Sequence, residues 1–354
     1  MRDSAFLTCL LEHTDFVRQF SLTHLLIVER KQMSLKMKAL ALAAVAVVAL
    51  SGCSAAAPAA TDAGHKDLKI CVYTHGDGGS FWTVAQKGAE AAAADLGVTL
   101  DYQGSNNDSA KQASTIEAGI AAGCKGIAAS APDAGAIKDA MLKAHDAGIP
   151  TVTMNSGSSV FKDLGAFTHV GQDEIIAGQQ AGLKFNDMGV KHVLCLIQEA
   201  GNSGLADRCK GLAQTFKGKA ENFNLDGGLA DLSAASAKVK AALQADSSID
   251  AVFALNADIA AKAVLPAESD LGLTLKVGTV DMSPEALDAI AAGTMEFAID
   301  QQQFAQGYLS VVLLYLNLTN GHELGGGQPI YSGPGFVTKD NVAKVQDLVK
   351  AGTR

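Results

Sequence analysis

From Asp67 onward, short apolar runs alternate with longer stretches in which apolar residues recur every three or four positions. The pattern predicts strand Leu68–Tyr73, helix Ser80–Leu96, strand Thr99–Gln103, helix Ser109–Ala122, strand Gly126–Ser130, helix Ala134–Ala147 and strand Thr151–Met154. Gly97, Gly123 and Gly148 each fall just past a helix, where a left-handed C-cap is wanted. After strand Ala166–Gly171 the rhythm restarts: helix Glu174–Met188, strand His192–Ile197, helix Leu205–Phe216, strand Asn222–Leu225 and helix Ala234–Ala245. Strand Ala251–Leu255, helix Ile259–Leu265, strand Lys276–Val280, helix Pro284–Ala292 and strand Met295–Asp300 complete that set. Strands alternating with helices imply right-handed βαβ units. Two such sets predict an α/β fold of two Rossmann-like lobes with parallel sheets. A long helix Phe304–Asn317, a Gly/Pro-rich stretch from Gly325 to Gly335 read as a crossover between lobes, and a helix near Asn341–Lys350 close the chain.

The N-terminal segment breaks this rhythm. Lys36 and Lys38 precede an apolar run from Ala39 to Leu50, and small residues follow, the marks of a secretory signal. At about 12 residues the run is too short to span roughly 30 Å of hydrocarbon. Its end, Leu50-Ser51-Gly52-Cys53, resembles the lipobox of bacterial lipoproteins, in which the Cys is acylated and becomes the mature N-terminus. Cys53 is the expected lipidation site, with attachment to the membrane through that lipid alone. The expected location is extracytoplasmic, in the periplasm or on the outer face of the cytoplasmic membrane. The mixed residues 1–32 precede two plausible starts at Met33 and Met37. Residues 1–52 are therefore read as an over-extended start plus a lipoprotein signal peptide, and residues 53–66 as a flexible tether.

Setting residues 1–52 aside removes six of the 28 basic and four of the 37 acidic residues, leaving a net charge of −11. An acidic surface argues against nucleic acid or anionic lipid as partner. About 300 residues suffice for two core-bearing units. Beyond Cys9 and Cys53, four cysteines remain, and four allow three pairings. Cys71 opens the first strand and Cys124 precedes its expected neighbour; Cys195 lies in a later strand and Cys209 in the helix after it. The favoured pairs are Cys71–Cys124 and Cys195–Cys209, against buried free thiols.

In open parallel sheets, ligands bind beyond the carboxyl ends of the strands. The polar residues there are His75, Ser130, Asp133, Asn155 and Ser156 in the first set, and Asn202, Asn256, Asp281 and Gln301 in the second. Gln172 follows the last strand of the first set. Amides with one or two carboxylates suit hydroxyl-rich ligands, since each can donate to or accept from several OH groups. Phe81 and Trp82 offer apolar faces to the C–H side of a sugar or polyol. The residues form no Ser-His-Asp constellation, metal cluster or nucleotide fingerprint, so no catalysis, cofactor or metal is expected. Several candidates have structural roles open to them: Asp133 as a helix N-cap, Asn256 as a turn residue, and Arg208 as a salt-bridged structural residue.

These residues resemble the periplasmic sugar-binding proteins of the ribose-binding type, substrate receptors of ABC importers, over Asp67–Arg354. The likeness rests on Gly78-Gly79-Ser80-Phe81-Trp82, Gly104-Ser105-Asn106-Asn107-Asp108, Ala131-Pro132-Asp133, Gly148-Ile149-Pro150 and Ala251-Val252-Phe253-Ala254-Leu255-Asn256. The resemblance implies the type I periplasmic-binding-protein fold, with a three-crossover hinge near Gly171-Gln172, near Gln301-Gln302 and in Pro329–Gly333. Lobe 1 would then be 67–171 plus 302–330, and lobe 2 would be 172–301 plus 331–354. It also implies that Phe81 and Trp82 sandwich the ligand, that Ser130 and Asn155 replace a family Asn and Asp, and that Asn256, Asp281 and Gln301 contact it. Where ribose binders place two Arg, this chain has Ser156 and Ala206, and the aromatic positions of the second lobe hold Leu232 and Val280. A smaller or open-chain polyol, or a different sugar, thus competes with ribose.

The expected protein is a monomeric receptor for a small neutral sugar or sugar alcohol, closing around it and delivering it to an ABC permease. A receptor feeding a chemosensor or sensor kinase is the alternative. A glycosidase would need paired carboxylates, and Asp133 and Asp281 fall in different lobes. A sugar-responsive repressor would need a helix-turn-helix before Leu68, which is lacking. Cys53→Ser is expected to release the protein from membranes, and acyl labelling that persists in this variant would refute the lipobox.

Overall fold

The computed structural model describes residues 65–354; Cys53, the signal segment and most of the tether lie outside the described residues. Two six-stranded sheets organise the chain. The first is built from β1 (Lys69–Thr74), β2 (Thr99–Gly104), β3 (Gly126–Ser130), β4 (Thr151–Asn155), β5 (Thr168–Gln172) and β11 (Ile330–Gly333), in the order β11-β5-β4-β3-β1-β2. The second contains β6 (His192–Ile197), β7 (Lys219–Asn224), β8 (Ala251–Ala254), β9 (Lys276–Val280), β10 (Phe297–Asp300) and β12 (Gly335–Thr338), in the order β12-β10-β9-β8-β6-β7. Five parallel strands of each sheet follow the same order, used twice.

Side chains alternate across each sheet, as the strand period of two requires. Ile70 and Val72 of β1 face one apolar cluster, Cys71 and Tyr73 the opposite one. Helices α1 (Gly79–Leu96) and α10 (Gln303–Asn320) cover the first face, and α2 (Ser109–Ala121) and α3 (Ala134–Asp146) the second. On the second sheet, α4 (Glu174–Asp187) and α5 (Ser203–Thr215) cover one face. The other is covered by α6 (Leu232–Ala245), α7 (Ala257–Ile259), α8 (Leu265–Leu271), α9 (Pro284–Ala292) and α11 (Gln346–Ala351). Central strands are thus buried on both faces, which accounts for their unbroken apolar runs.

Five details depart from the pattern-based reading. The Gly/Pro-rich stretch is not only a crossover, because it holds β11 and β12 separated by Pro334. β11 joins β5 in parallel and β12 joins β10 antiparallel, so the second sheet is not purely parallel. β11 carries the first sheet through Gly333, placing the third passage between sheets at 333–335. The expected helix end at Leu265 is overrun, because a π turn (Ala260–Val264) passes the missing N–H of Pro266 and leads into α8. β7 begins at Lys219, three residues before the expected start at Asn222, because this polar edge strand is set by pairing of His192 with Lys219 and not by an apolar face.

Both favoured disulfides are present: Cys71–Cys124 links β1 to the entry of β3, and Cys195–Cys209 ties β6 to α5, with Cα atoms 5.9 and 6.0 Å apart. Helices α4 and α5 pack backbone to backbone through two glycines. A Cβ at Gly178 would collide with the carbonyl oxygen of Arg208, and one at Gly211 with that of Ile175. Gly178→Ala should therefore force the helices apart and lower stability by about 1–3 kcal/mol. Chemical denaturation reads this directly, and an unchanged midpoint would show that the contact yields at no cost.

Candidate functional site

Residues from equivalent strands of the two sheets come together at their carboxyl ends. From the first sheet come His75 after β1, Ser130 ending β3, Asn155 ending β4 and Gln172 ending β5; from the second, Gln198 and Glu199 after β6, Asn256 after β8, Asp281 after β9 and Gln301 after β10. All except Glu199 are classed as buried, although each carries a polar side chain. Three contacts join the two sets of strand ends. His75 Nε2 lies 3.6 Å from Glu199 Oε2, Ser80 Oγ donates to Asp258 Oδ2 at 2.9 Å, and Ser203 donates to the Pro132 carbonyl through Oγ (2.9 Å) and its backbone N–H (3.2 Å).

Local backbone geometry aims several of these side chains. Asn155 and Asp281, at equivalent positions, both adopt left-handed φ of 61° and 71°, a conformation Asn and Asp tolerate better than most residues. The chain therefore turns sharply at each strand end. Asn256 caps α7: its Oδ1 accepts from the N–H groups of Asp258 (2.8 Å) and Ile259 (3.3 Å). Its Nδ2 has no protein partner among the described residues. Asn155 likewise uses Oδ1, accepting from Ser156 Oγ at 2.9 Å. In both, a fixed oxygen leaves the amide N–H groups to point elsewhere.

Four other expected site residues have protein roles. Ser130 Oγ accepts the His75 backbone N–H at 2.7 Å and meets its Nδ1 at 2.8 Å, fixing the imidazole. Asp133 is exposed and caps α3 through the Ala136 N–H. Asn202 caps α5 and donates from Nδ2 to Glu199 Oε2 at 2.7 Å. Gln172 Nε2 donates to Glu174 Oε2 at 2.8 Å, leaving its Oε1 buried without a partner. Phe81 and Trp82 are both buried, with ring centroids 4.8 Å apart, and His75 stands edge-on to Trp82 at 4.8 Å. The two aromatics pack on the first core and on each other.

The electrostatic centre is Arg208. Its guanidinium grips Glu174 with two nitrogens, Nη2 lying 3.0 Å from Oε1, and Nη1 lies 3.4 Å from the Leu255 carbonyl. Burial opposes the guanidinium charge, and the Glu174 carboxylate more than offsets it, so Arg208 stays protonated. Burial also pushes Glu199 up, yet the His75 ring and the Asn202 amide hold its carboxyl below the usual range. Asp281 differs: burial raises its carboxyl to about 7, against the opposing pull of Arg208 and of Gln301 Nε2, which donates to Oδ1 at 2.6 Å. Gln198 and Glu199 obey the strand-end rule and could have been found by it. Glu174 could not, because it reads as an ordinary first-turn acid until Arg208, 34 positions away, is seen beside it.

An aspartate in the unfolded chain titrates near 4, and Asp281 in the folded protein at about 7. The folded state therefore binds this proton more tightly. Its stabilising contribution is full below about pH 4 and is lost as pH rises toward 7. Compared with Asp281→Asn, the wild-type melting temperature should decline over that interval; parallel curves for the two proteins would contradict the burial argument.

Comparison with known proteins agrees with this architecture. Residues 70–323 match the model of the periplasmic binding protein domain. The chain is similar to a carbohydrate transporter protein of Acidothermus cellulolyticus 11B, solved in complex with myo-inositol. Identity is 41%, the TM-score is 0.78, and the match covers 81% of this chain and 99% of that one. It is also similar to the ribose import binding protein RbsB of Haemophilus influenzae, 28% identical over 242 residues, 66% of this chain and 79% of that protein. The xylose/arabinose-binding protein XylF of Sulfolobus acidocaldarius is 24% identical over 306 residues, 78% of this chain and 73% of that one. These are substrate-binding components of sugar transporters and not enzymes. Two like sheets whose strand ends meet in a buried polar cluster, and a family match spanning most of the chain, lead to one conclusion: this protein belongs to the periplasmic binding protein domain family, among its ribose-type sugar-binding members.

Proposed function

We propose that this chain is the extracytoplasmic substrate-binding protein of an ABC importer, holding a neutral monosaccharide or polyol between its two lobes. The observation that carries this reading is the set of side-chain polar atoms at the meeting strand ends that the protein itself leaves unused. The Oε1 atoms of Gln172, Gln198 and Gln301 are buried without partners, and Nδ2 of Asn155 and of Asn256 makes no hydrogen bond among the described residues. Buried polar groups are normally partnered. A ligand with hydroxyls on all sides would complete them.

In this reading Asn155, Asn256, Asp281 and Gln301 bind hydroxyls directly, Phe81 and Trp82 pack against the C–H face, and Ser130, Asn202 and Gln172 hold their neighbours in place. His75 and Glu199 face each other from opposite lobes, and their contact favours the closed form. The lobes correspond to 67–171 with 302–330 and to 172–301 with 331–354, the last boundary shifted to 333–335 by the pairing of β11. A ligand that touches both lobes stabilises closure, and the permease reads the closed shape. Cys53 anchors the monomeric receptor to the membrane by lipid. Cyclic polyols head the candidates, because the similar Acidothermus protein was solved with myo-inositol and because the two sugar-fixing arginines of ribose binders are replaced here.

A thermal-shift screen of inositols, pentoses, hexoses and sugar alcohols tests the reading. A true ligand at a thousand-fold excess over its Kd stabilises the protein by roughly 4 kcal/mol. Asn256→Ala and Asp281→Ala should each cost about 1–3 kcal/mol of affinity for that ligand, measured by calorimetry. Full affinity in both variants, or no shift with any polyol or sugar, would overturn the assignment.

A further inference from the structure

Resting on the reading of the cleft as a polyol site, we infer that it takes amine-bearing polyols as well as neutral ones and rejects carboxylated or phosphorylated ones, with Glu199 and Asp281 as the discriminating residues. The argument is the balance of charge on the walls. Among the described residues, Arg208 is the only buried arginine or lysine. Its guanidinium is committed within the second lobe, to both carboxylate oxygens of Glu174 and to the Leu255 carbonyl. Two further carboxyl groups, Asp281 and Glu199, lie within its field; among the described residues neither has a lysine or arginine partner of its own, and Glu199 faces the His75 ring.

Their free valences suit a cation. Gln301 occupies Asp281 Oδ1, whereas Oδ2 makes no hydrogen bond among the described residues. Glu199 Oε2 takes the Asn202 amide and faces His75, and Oε1 is likewise without a hydrogen bond among the described residues. An ammonium group, all donors and no acceptor, is the complement of such carboxyl oxygens. A carboxylate or phosphate in this place would meet the Asp281 and Glu199 carboxyl groups with no uncommitted guanidinium to receive it, a costly arrangement at low dielectric.

The groups facing Asp281 are Arg208 from α5, Glu174 from α4, Glu199 after β6 and the neutral Gln301. Because burial raises Asp281 to about 7, ionisation near neutrality should strengthen amine binding while leaving a neutral polyol little changed. Isothermal titration of the purified protein with myo-inositol, a protonated amino-deoxy-inositol and an inositol monophosphate tests this. Amine affinity should rise about fivefold or more between roughly pH 6 and pH 8, and the phosphate should bind at least about a hundredfold more weakly than myo-inositol. Glu199→Gln and Asp281→Asn, each checked for a retained melting transition, should each cut the ratio of amine to inositol affinity by roughly tenfold. Tight binding of myo-inositol with an excluded amine, an equally bound phosphate, or an unaltered ratio in both variants overturns the proposal and leaves the polyol reading standing. Absence of binding by all three overturns both.

Discussion

Everything at the centre of this protein depends on burying charge without leaving it unpaired. Arg208 and Glu174 are both sequestered, and each is tolerable only because the other is present in two-pronged geometry. Such a pair gains little net stability, since desolvation consumes most of the attraction. What it supplies is position. Glu174 is reached by Gln172 at the end of β5, and Arg208 reaches the carbonyl of Leu255 after β8. The pair therefore fixes α4 and α5 against the ends of β5 and β8. The glycines that let these helices touch serve the same end, because any wider spacing would separate the two charges.

A second organising fact is repetition. β1 with β6, β3 with β8, β4 with β9 and β5 with β10 occupy corresponding places in the two sheets. Their ends supply His75 opposite Glu199, Ser130 and Asn256, Asn155 and Asp281, and Gln172 and Gln301. The left-handed backbone shared by Asn155 and Asp281 marks the same turn built twice. Within each couple the chemistry has diverged. Ser130 is consumed in holding His75, while Asn256 keeps a free amide; Asn155 is neutral, while Asp281 carries a titrating carboxyl. Strand ends built from two copies of one scaffold thus present different chemistry on the two sides of the polar cluster.

Much of the scaffold was legible along the chain. The fully buried strands and the helices with strong apolar stripes declare themselves, because burial demands apolar residues at the period of the element. Pro284–Ala292 is located to the residue, since Ser283, Pro284 and Gly293 punctuate it by local chemistry alone. The Cys71–Cys124 pair followed from which strands must be neighbours, and Cys195–Cys209 from a strand and the helix that follows it. β7 was misplaced and β11 and β12 were missed for one reason: edge strands face water, so their side chains need no apolar pattern and only backbone pairing defines them. The π turn escaped because Pro266 locally reads as an ending.

Candidate site residues were legible to the extent that they sit at strand ends, which the parallel topology turns into a rule. Their partners were not. That Ser130 serves His75, that Asn202 serves Glu199 and that Asp133 merely caps α3 at the surface depends on angstrom-scale proximity between residues far apart in sequence. The amino-acid order by itself determined two α/β lobes of like topology, their cysteine bridges and the polar character of the strand ends, because periodicity and turn chemistry act locally. Only the tertiary structure decided which polar atoms are spent on the protein and which are left over, because that division is set by contacts between lobes and helices that no local pattern encodes.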